Sequence, residues 1–243
     1  DGLDAPFGAV DRFAIELGVA ADDPRRVEAG ILFELTYNLS AGHSFLPEKK
    51  LAAATAQLLS VEEETVREGM TRLREADKLV TDTLTEIPVA YLPELYEAET
   101  FCCRALTAAA ALHFPAPAGL DRKIAKAAAE AGITYSQEQR DAIRTAAEQG
   151  LLLITGGPGT GKTTILKGIL NLFDNMGLKT LLAAPTGRAA KRLTEVTGAD
   201  ASTIHRLLEA GIDPVTGKMV FARDEDNPLK ADAIIVDEMS MVD

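Results

Sequence analysis

Apolar positions in the first part of the chain recur with the period of a helix. Between residues 25 and 41 they fall at Val27, Ile31, Leu35 and Leu39, and the pattern stops before Gly42. Such spacing predicts an amphipathic helix with one buried face. An extended piece, His43–Leu46, then leads to Pro47, which suits the first turn of a second helix.

A third helix and a hairpin are predicted next. Ser60 to Glu63 has the sequence of a capping box, and Val66, Met70 and Leu73 then share one helical face. Two β-like runs follow, Leu79–Thr83 and Ile87–Leu92. Helix, short strand, two helices and a hairpin is the order of a winged helix.

An alanine-rich helix from Leu95 to about Phe114 follows, and the proline- and glycine-containing segment 115–119 ends it. We place a domain boundary there, between a helical, winged-helix-like region (1–118) and a second domain (119–243). The two cysteines, Cys102 and Cys103, fall on this helix. They could form a vicinal redox pair, although two small buried residues are the favoured interpretation.

The second domain alternates predicted strands and helices, which is typical of an α/β fold with a parallel sheet. Short apolar runs predict the strands, and Pro214–Lys218 carries the signals of a hairpin tip. Ser202 is the expected cap of a short helix. The predicted strands are Leu151–Thr155, Thr180–Pro185 and Ala233–Val236, and the predicted helices cover 162–176, 188–197 and Ser202–Ala210.

Composition narrows the functional classes. Hydrophobic residues make up 47% of the chain, but no run is long enough for a membrane span and no signal peptide opens it, so we expect a cytoplasmic protein without a membrane partner. The chain opens on Asp1 and stops at Asp243, as a piece of a longer protein would. The net charge is −12, so any contact with DNA needs a local basic stripe. The predicted third helix is itself more acidic than basic, which favours packing or protein contact over DNA reading.

A glycine-rich segment carries the strongest chemical signal. Gly156-Gly157-Pro158-Gly159-Thr160-Gly161-Lys162-Thr163 fits the pattern G-x-x-x-x-G-K-[ST] between a predicted strand and a predicted helix, and Thr164 follows it. Glycines let backbone N–H groups turn onto phosphate oxygens, and the helix N-terminus adds positive potential. Lys162 is expected to reach the β- and γ-phosphates of ATP, and Thr163 to bind Mg²⁺.

An acidic pair, Asp237 and Glu238, follows the last predicted strand. A carboxylate at the C-terminal end of such a strand lies beside a phosphate loop in parallel sheets. Asp237 is expected to hold the Mg²⁺ shell, and Glu238 to orient and deprotonate the attacking water.

Gln139 has two interpretations. A glutamine amide can donate and accept at once, which matches the N6/N7 edge of adenine. Ser136 and Gln139 also have the spacing of a capping box, so the side chain could serve only its own helix. The two roles can coexist.

In this order the motifs resemble those of superfamily 1 helicases. Tyr135–Ile143 resembles the Q motif, Gly156–Thr163 motif I, Ala184–Leu193 motif Ia, and Asp237–Asp243 motif II. Together with Ser202–Leu208 (STIHRLL), they resemble the RecD/TraA family of 5′→3′ DNA helicases. Tyr135 stands where that family usually has Leu, and Met239 stands where it often has Ala. Neither change touches a catalytic atom.

The resemblance implies a two-lobed motor that binds ATP between RecA-like lobes, of which this chain holds the start of the first. The chain alone is therefore expected to be inactive or only weakly active as an ATPase and helicase. It implies single-stranded DNA and duplex junctions as partners, in repair or recombination. The first half more loosely resembles the helical region before the motor in stand-alone RecD-like proteins, including Tyr91–Glu99 (YLPELYEAE). Other repair proteins could bind there.

Motif Ia supplies the expected DNA contacts. Arg188, Lys191 and Arg192 share one helix face, and the turn at Pro185 and Thr186 offers N–H groups to a phosphate. A solvated basic face is the alternative, and His205 could contact DNA or only pack. Three other functions stay open: a protein-remodelling P-loop ATPase, a non-enzymatic adaptor, and a RecBCD-type or relaxase-linked helicase.

Overall fold

The computed structural model describes residues 6–130, 132–157 and 159–242. The chain divides into two compact units, Asp1–Ala105 and Leu106–Asp243. The sequence places the domain boundary later, between residues 118 and 119, and that placement stays a prediction.

The first unit contains the predicted helix–strand–helix–helix–hairpin order. Its three strands form an antiparallel sheet in the order β1-β3-β2, in which Phe45 pairs with Tyr91 and Val80 pairs with the same residue from the other side. The first helix was not predicted. The elements are α1 (Phe7–Glu16), α2 (Pro24–Leu39), β1 (Phe45–Pro47), α3 (Glu48–Leu59), α4 (Glu63–Glu75), β2 (Val80–Leu84) and β3 (Ile87–Tyr91).

The core of this unit lies between α2, α3 and α4. The predicted face of the third helix is confirmed, since Val66, Met70 and Leu73 are buried. They pack in one cluster with Ile31 and Leu51, among others. The periodicity of apolar residues was therefore sufficient to identify the buried side of these helices.

The predicted capping box at Ser60 is wrong. Ser60 ends α3 in a left-handed conformation, with φ 55° and ψ 48°, and α4 begins only at Glu63 after an extended Glu62. Glu62 forms no side-chain cap hydrogen bond. The serine is already used to reverse the chain at a C-terminus, so its hydroxyl does not cap the next helix.

Helix α5 (Pro93–Ala110) is the predicted alanine-rich helix, but its cysteines are not buried. Cys102 and Cys103 are both free and exposed, and α5 has no buried residue. The neighbouring Phe101 is also half-exposed, at 50%. The expectation of burial is therefore wrong, because residue type alone does not show which part of a helix its neighbours cover.

The second unit is an α/β fold, as predicted. Its parallel sheet has the order β5-β4-β8, and β6 and β7 form a separate hairpin around the predicted tip. None of the described helices is long and apolar enough to cross a membrane. The elements are α6 (Leu120–Glu130), α7 (Gln137–Glu148), α8 (Lys162–Asn175), β4 (Thr180–Ala184), α9 (Gly187–Thr197), β5 (Ala201–Thr203), α10 (Ile204–Leu207), β6 (Ala210–Ile212), β7 (Met219–Phe221), β8 (Ala233–Val236) and a 3₁₀ turn, Met239–Met241.

Two local predictions in this unit are wrong. Leu151–Thr155 is not a strand, because no described strand pairs with it, and Leu153 is 76% exposed. An apolar run becomes a strand only where a neighbour completes its hydrogen bonds. Ser202 lies within β5, and Thr203 caps α10 by accepting a hydrogen bond from the Arg206 N–H at 3.2 Å.

The core of the second unit joins α7 and α8 to the sheet. Tyr135 and Ile143 are buried here with Ile165, Ile169 and Leu172 of α8. Ala233 and Ile235 of β8 pack against the same cluster. The helix after the glycine-rich segment is thus fixed both to the helix that carries Gln139 and to the strand that precedes Asp237.

A partly buried ion pair attaches α1 to the rest of the first unit. Arg26 donates from Nε to Asp11 Oδ1 at 2.6 Å and from Nη2 to Asp11 Oδ2 at 2.9 Å. The same Nη2 donates to the Leu59 carbonyl at 3.1 Å. The two side chains are only 8% and 16% exposed. Arg26 therefore links α1, α2 and the end of α3.

Replacing Arg26 should destabilise this unit. Arg26→Ala leaves the Asp11 carboxylate poorly solvated without its cation, and we expect a loss of about 3 kcal/mol in unfolding free energy. Arg25→Ala is the matched control, because Arg25 pairs with Asp23 at the surface and is 86% exposed. Urea unfolding followed by circular dichroism measures both. Equal small changes would show that the buried pair adds nothing.

Candidate nucleotide-binding site

The glycine-rich loop leads directly into α8. Gly159 and Gly161 have φ values of 76° and 85°, in the left-handed region that favours glycine. Gly161 is the N-cap of α8 and provides no side-chain cap. The N–H groups of the first turn are therefore left without a side-chain acceptor, which is the arrangement that binds anions at helix N-termini. Pro158 lies outside the described residues.

The lysine of the loop folds back over it. Lys162 Nζ donates to the Gly157 carbonyl at 2.8 Å and also to the Gly156 carbonyl. Thr160 Oγ1 donates to the same Gly157 carbonyl at 2.9 Å. The ammonium group is thus held at the loop itself. Thr163 is exposed and Thr164 half-buried on the first turn of α8.

The acidic pair lies at the C-terminal end of β8. The Asp237 N–H donates to the Ala183 carbonyl of β4 at 3.0 Å, which attaches the residue to the sheet. Glu238 is exposed and left-handed, with φ 53° and ψ 39°. Residues without a glycine's freedom seldom adopt this conformation, and such strain concentrates at functional sites. Asp243, the last residue of the predicted motif II, lies outside the described residues.

Gln139 caps its own helix and also lies beside the glycine-rich loop. Its Oε1 accepts from the Ser136 N–H at 3.0 Å, and its own N–H donates to Ser136 Oγ at 3.2 Å, so the predicted capping box is confirmed. Its Nε2 lies 2.5 Å from the position that a Cβ on Gly161 would occupy. The amide therefore caps α7 and also lies against the last glycine of the loop.

The basic face of motif Ia is exposed at the same sheet edge as the acidic pair. Strands β4 and β8 are parallel, with Ala183 opposite Val236, so both motifs begin where these strands end. Thr186 caps α9 by accepting from the Ala189 N–H at 3.2 Å. The preceding Pro185 is half-buried.

The cations of this face differ in their surroundings. Lys191 forms a surface ion pair with Glu195 at 3.9 Å, and such pairs contribute little to stability. Arg188 and Arg192 are exposed, and neither forms an ion pair with any described residue. Two arginines are therefore available to an external anion.

His205 lies on α10 beside the β6–β7 hairpin. Its ring is exposed, and the ring centroid is 6.1 Å from that of Phe221. The sequence does not connect the hairpin with this residue, since nothing in the spacing places β7 beside α10. Packing is therefore part of its role, and contact with DNA stays a prediction.

The predicted third helix of the first unit, α4, offers few free cations. Arg67 pairs with Glu63 at 2.7 Å and with Glu64 at 3.3 Å. Arg72 pairs with Glu28 at 2.9 Å. These pairs leave an acidic surface, which agrees with a packing or protein-contact role rather than contact with phosphates.

Tyr135 is a residue whose role the sequence did not reveal. It precedes the capping serine of α7, is 4% exposed, and burial raises the pKa of its hydroxyl. Its departure from the usual Leu was the only signal. The structure places it under α8 near Gly168, so it is part of the packing that supports Gln139.

Comparison with known proteins shows which sequences this chain is similar to. Residues 139–243 match the family described as an AAA domain, which implies nucleotide use. The ATP-dependent RecD2 DNA helicase of Deinococcus radiodurans is 34% identical over 97% of this chain and 33% of its own length. The RecBCD enzyme subunit RecD of Mycolicibacterium smegmatis is 41% identical over 44% of this chain and 23% of the subunit.

A phage protein is also similar to part of this chain. The ATP-dependent DNA helicase dda of Enterobacteria phage T4 is 44% identical over 37% of this chain and 21% of its own length. The chain spans about a third of the RecD2 relative and less of the others. In its motifs, its α/β fold and its sequence, the chain is similar to RecD-like helicases.

Proposed function

We propose that this chain is the nucleotide-binding part of an ATP-dependent DNA helicase, which couples ATP hydrolysis to 5′→3′ movement on single-stranded DNA and to duplex unwinding. The observation that carries the proposal is the loop at the start of α8. Two left-handed glycines precede a helix N-terminus that has no side-chain cap, Lys162 donates to the carbonyls of the loop, and Gln139 lies against Gly161.

The residues of the loop fit a nucleotide triphosphate. A Cβ at Gly157 or Gly159 would meet no protein atom within 4 Å, so the backbone there is open to a ligand. Lys162 can exchange its carbonyl contacts for phosphate oxygens, which are stronger, charged acceptors. The free Nε2 of Gln139 can donate to adenine N7, while its Oε1 keeps a lone pair for the N6 amino group.

Magnesium fits the oxygen donors of the site. Thr163 contributes a hydroxyl and Asp237 a carboxylate, and Mg²⁺ takes oxygen ligands of this kind beside substrate phosphates. When bound, the ion neutralises charge that develops on the phosphates. Glu238 accepts the proton of the attacking water, and the Asp237 backbone bond to Ala183 fixes the orientation of the pair relative to the sheet.

The basic face of α9 supports DNA over protein as the second substrate. Arg188 and Arg192 are exposed arginines, and Thr186 begins their helix. Helix N-termini and arginines are the usual donors to DNA phosphates, and they position a strand without reading its sequence. A protein-remodelling ATPase would leave this face unexplained. The named relatives are also DNA helicases or subunits of a DNA-processing enzyme.

The extent of similarity favours the stand-alone RecD2 type. The similarity to RecD2 covers 97% of this chain and so includes the winged-helix-like unit, whereas the similarity to the RecD subunit covers 44%. A subunit of a RecBCD-type complex would be expected to share its first unit with other subunits of that kind. We also propose that the acidic surface of α4 contacts other proteins, including repair proteins.

Two substitutions should separate binding from turnover. Lys162→Ala removes the cation over the loop and should lower affinity for ATP, whereas Glu238→Gln should keep ATP binding and lower turnover by about 100-fold or more. Filter binding with radiolabelled ATP and phosphate release, both with the full-length protein, measure the two steps. Loss of binding in Glu238→Gln would assign Glu238 a structural role.

The nucleotide preference should depend on Gln139. Gln139→Ala removes the amide that can recognise adenine, so ATP affinity should fall by about fivefold, as for the loss of one neutral hydrogen bond. GTP affinity should change less. Competition titrations with a fluorescent nucleotide analogue give both values. A loss of stability with an unchanged ATP-to-GTP ratio would mean that Gln139 only caps α7.

Removing the exposed arginines of α9 should weaken binding to single-stranded DNA. In Arg188→Ala/Arg192→Ala, the slope of log affinity against log salt should become shallower by about 0.7 for each phosphate that an arginine no longer neutralises. Arg122→Ala/Lys126→Ala removes the same number of positive charges from α6, which carries no part of motif Ia, and is the control. Fluorescence anisotropy of a labelled oligothymidylate measures the slope. Equal changes in both variants would show only a loss of net charge.

A further inference from the structure

Helices α7 and α8 approach each other across two glycines of α8. Gly161 and Gly168 are seven residues apart, so they lie on one face of the helix, about two turns from each other. A Cβ at Gly168 would lie 2.5 Å from Ile143 Cδ1 and 2.9 Å from the Tyr135 hydroxyl oxygen. A Cβ at Gly161 would lie 2.5 Å from Gln139 Nε2. Real Cβ atoms do not approach other atoms so closely.

The two close approaches are connected through the short segment that carries Gln139. Ile143 is four residues after Gln139, so both side chains project from the same face of α7. Tyr135 directly precedes Ser136, whose N–H and hydroxyl hold Gln139 in the capping box. A movement of Tyr135 and Ile143 away from α8 would therefore carry Gln139 away from the loop.

The buried surroundings of Gly168 leave little room for the Tyr135 and Ile143 side chains to move by themselves. Tyr135 is 4% and Ile143 1% exposed, and Gly168 itself is buried. Both side chains pack in the cluster that includes Ile165 and Ile169 of α8. In a close-packed core, added volume displaces an element rather than a single side chain.

We propose that Gly168 is a positioning residue for nucleotide recognition. The hydrogen in place of a side chain lets α7 lie close enough to α8 for the Gln139 amide to lie against Gly161, where it can recognise adenine. Gly168 contacts no phosphate and no base, and it acts through Tyr135 and Ile143. This inference rests on the proposed nucleotide site and adds the element that sets its geometry.

The first variant adds one methyl group at the point of closest approach. Gly168→Ala should lower ATP affinity by about fivefold, as Gln139→Ala does, and should lower GTP affinity less. Alanine favours the helical state over glycine, so a weaker helix α8 would not explain the loss. Gly8→Ala is the control, because Gly8 lies within α1 and a Cβ there would meet nothing within 4 Å.

A second variant restores the space that the methyl group takes. Ile143→Val removes the Cδ1 atom and Tyr135→Phe removes the hydroxyl oxygen, the two closest atoms. Gly168→Ala combined with both changes should recover the parent ATP affinity and ATP-to-GTP ratio. This triple variant also keeps the test valid if Gly168→Ala alone does not fold, which thermal unfolding will show.

A double-mutant cycle distinguishes positioning from a general loss of structure. If Gly168 acts through Gln139, Gly168→Ala should change ATP affinity little in a chain that already carries Gln139→Ala. Competition titrations with a fluorescent ATP analogue against ATP and GTP, on the whole chain, give every affinity.

Three results would overturn the proposal. They are a Gly168→Ala variant with the parent ATP-to-GTP ratio, a folded triple variant that does not recover it, and additive losses in the cycle. A parent chain that binds neither nucleotide would instead overturn the proposed function, and this inference with it.

Discussion

The nucleotide site depends on a helix that begins without a side-chain cap. Gly161 ends the loop in a left-handed conformation and leaves the first N–H groups of α8 without a side-chain acceptor. Such groups need a partner, and an anion is the one that best matches their number and charge. Lys162, which here donates to the loop's own carbonyls, supplies a further charge at the same place. The proposed binding of phosphate therefore depends on the N–H groups at the start of α8.

The other groups of the proposed site are brought near the start of α8 by packing, not by being close to it in the sequence. Helix α8 packs in one core with α7, which carries Gln139, and with β8, which ends at Asp237. The parallel pairing of β4 and β8 then brings motif Ia and the acidic pair to one sheet edge. The proposed coupling of ATP hydrolysis to DNA movement would use this shared edge, because the acidic pair and motif Ia both begin there.

The periodic elements were the most predictable from the sequence. The buried faces of α2 and α4, the β2–β3 hairpin, α8 and α9 follow from patterns that act over a few residues. The capping box of Ser136 and Gln139 is equally local, and it is confirmed.

The predictions that were wrong either needed a distant neighbour or concerned which residue caps a helix. Leu151–Thr155 has the composition of a strand but no described partner, and Cys102 and Cys103 are exposed on α5. Ser60 and Ser202 were predicted to cap helices, but Ser60 ends α3 in a left-handed conformation and Ser202 lies within β5. The approach of Gly168 to Tyr135 and Ile143 has no sequence signal, because it depends on how two helices pack.

The central claim is that ATP hydrolysis is coupled to DNA binding, and the most direct test is the rate of ATP hydrolysis as single-stranded DNA is added to the purified full-length protein. We expect that DNA raises the rate to a plateau, that duplex DNA without a single-stranded end raises it less, and that salt weakens the stimulation because phosphate contacts carry it. A rate that is the same with and without DNA, at low salt and saturating ATP, would contradict this coupling.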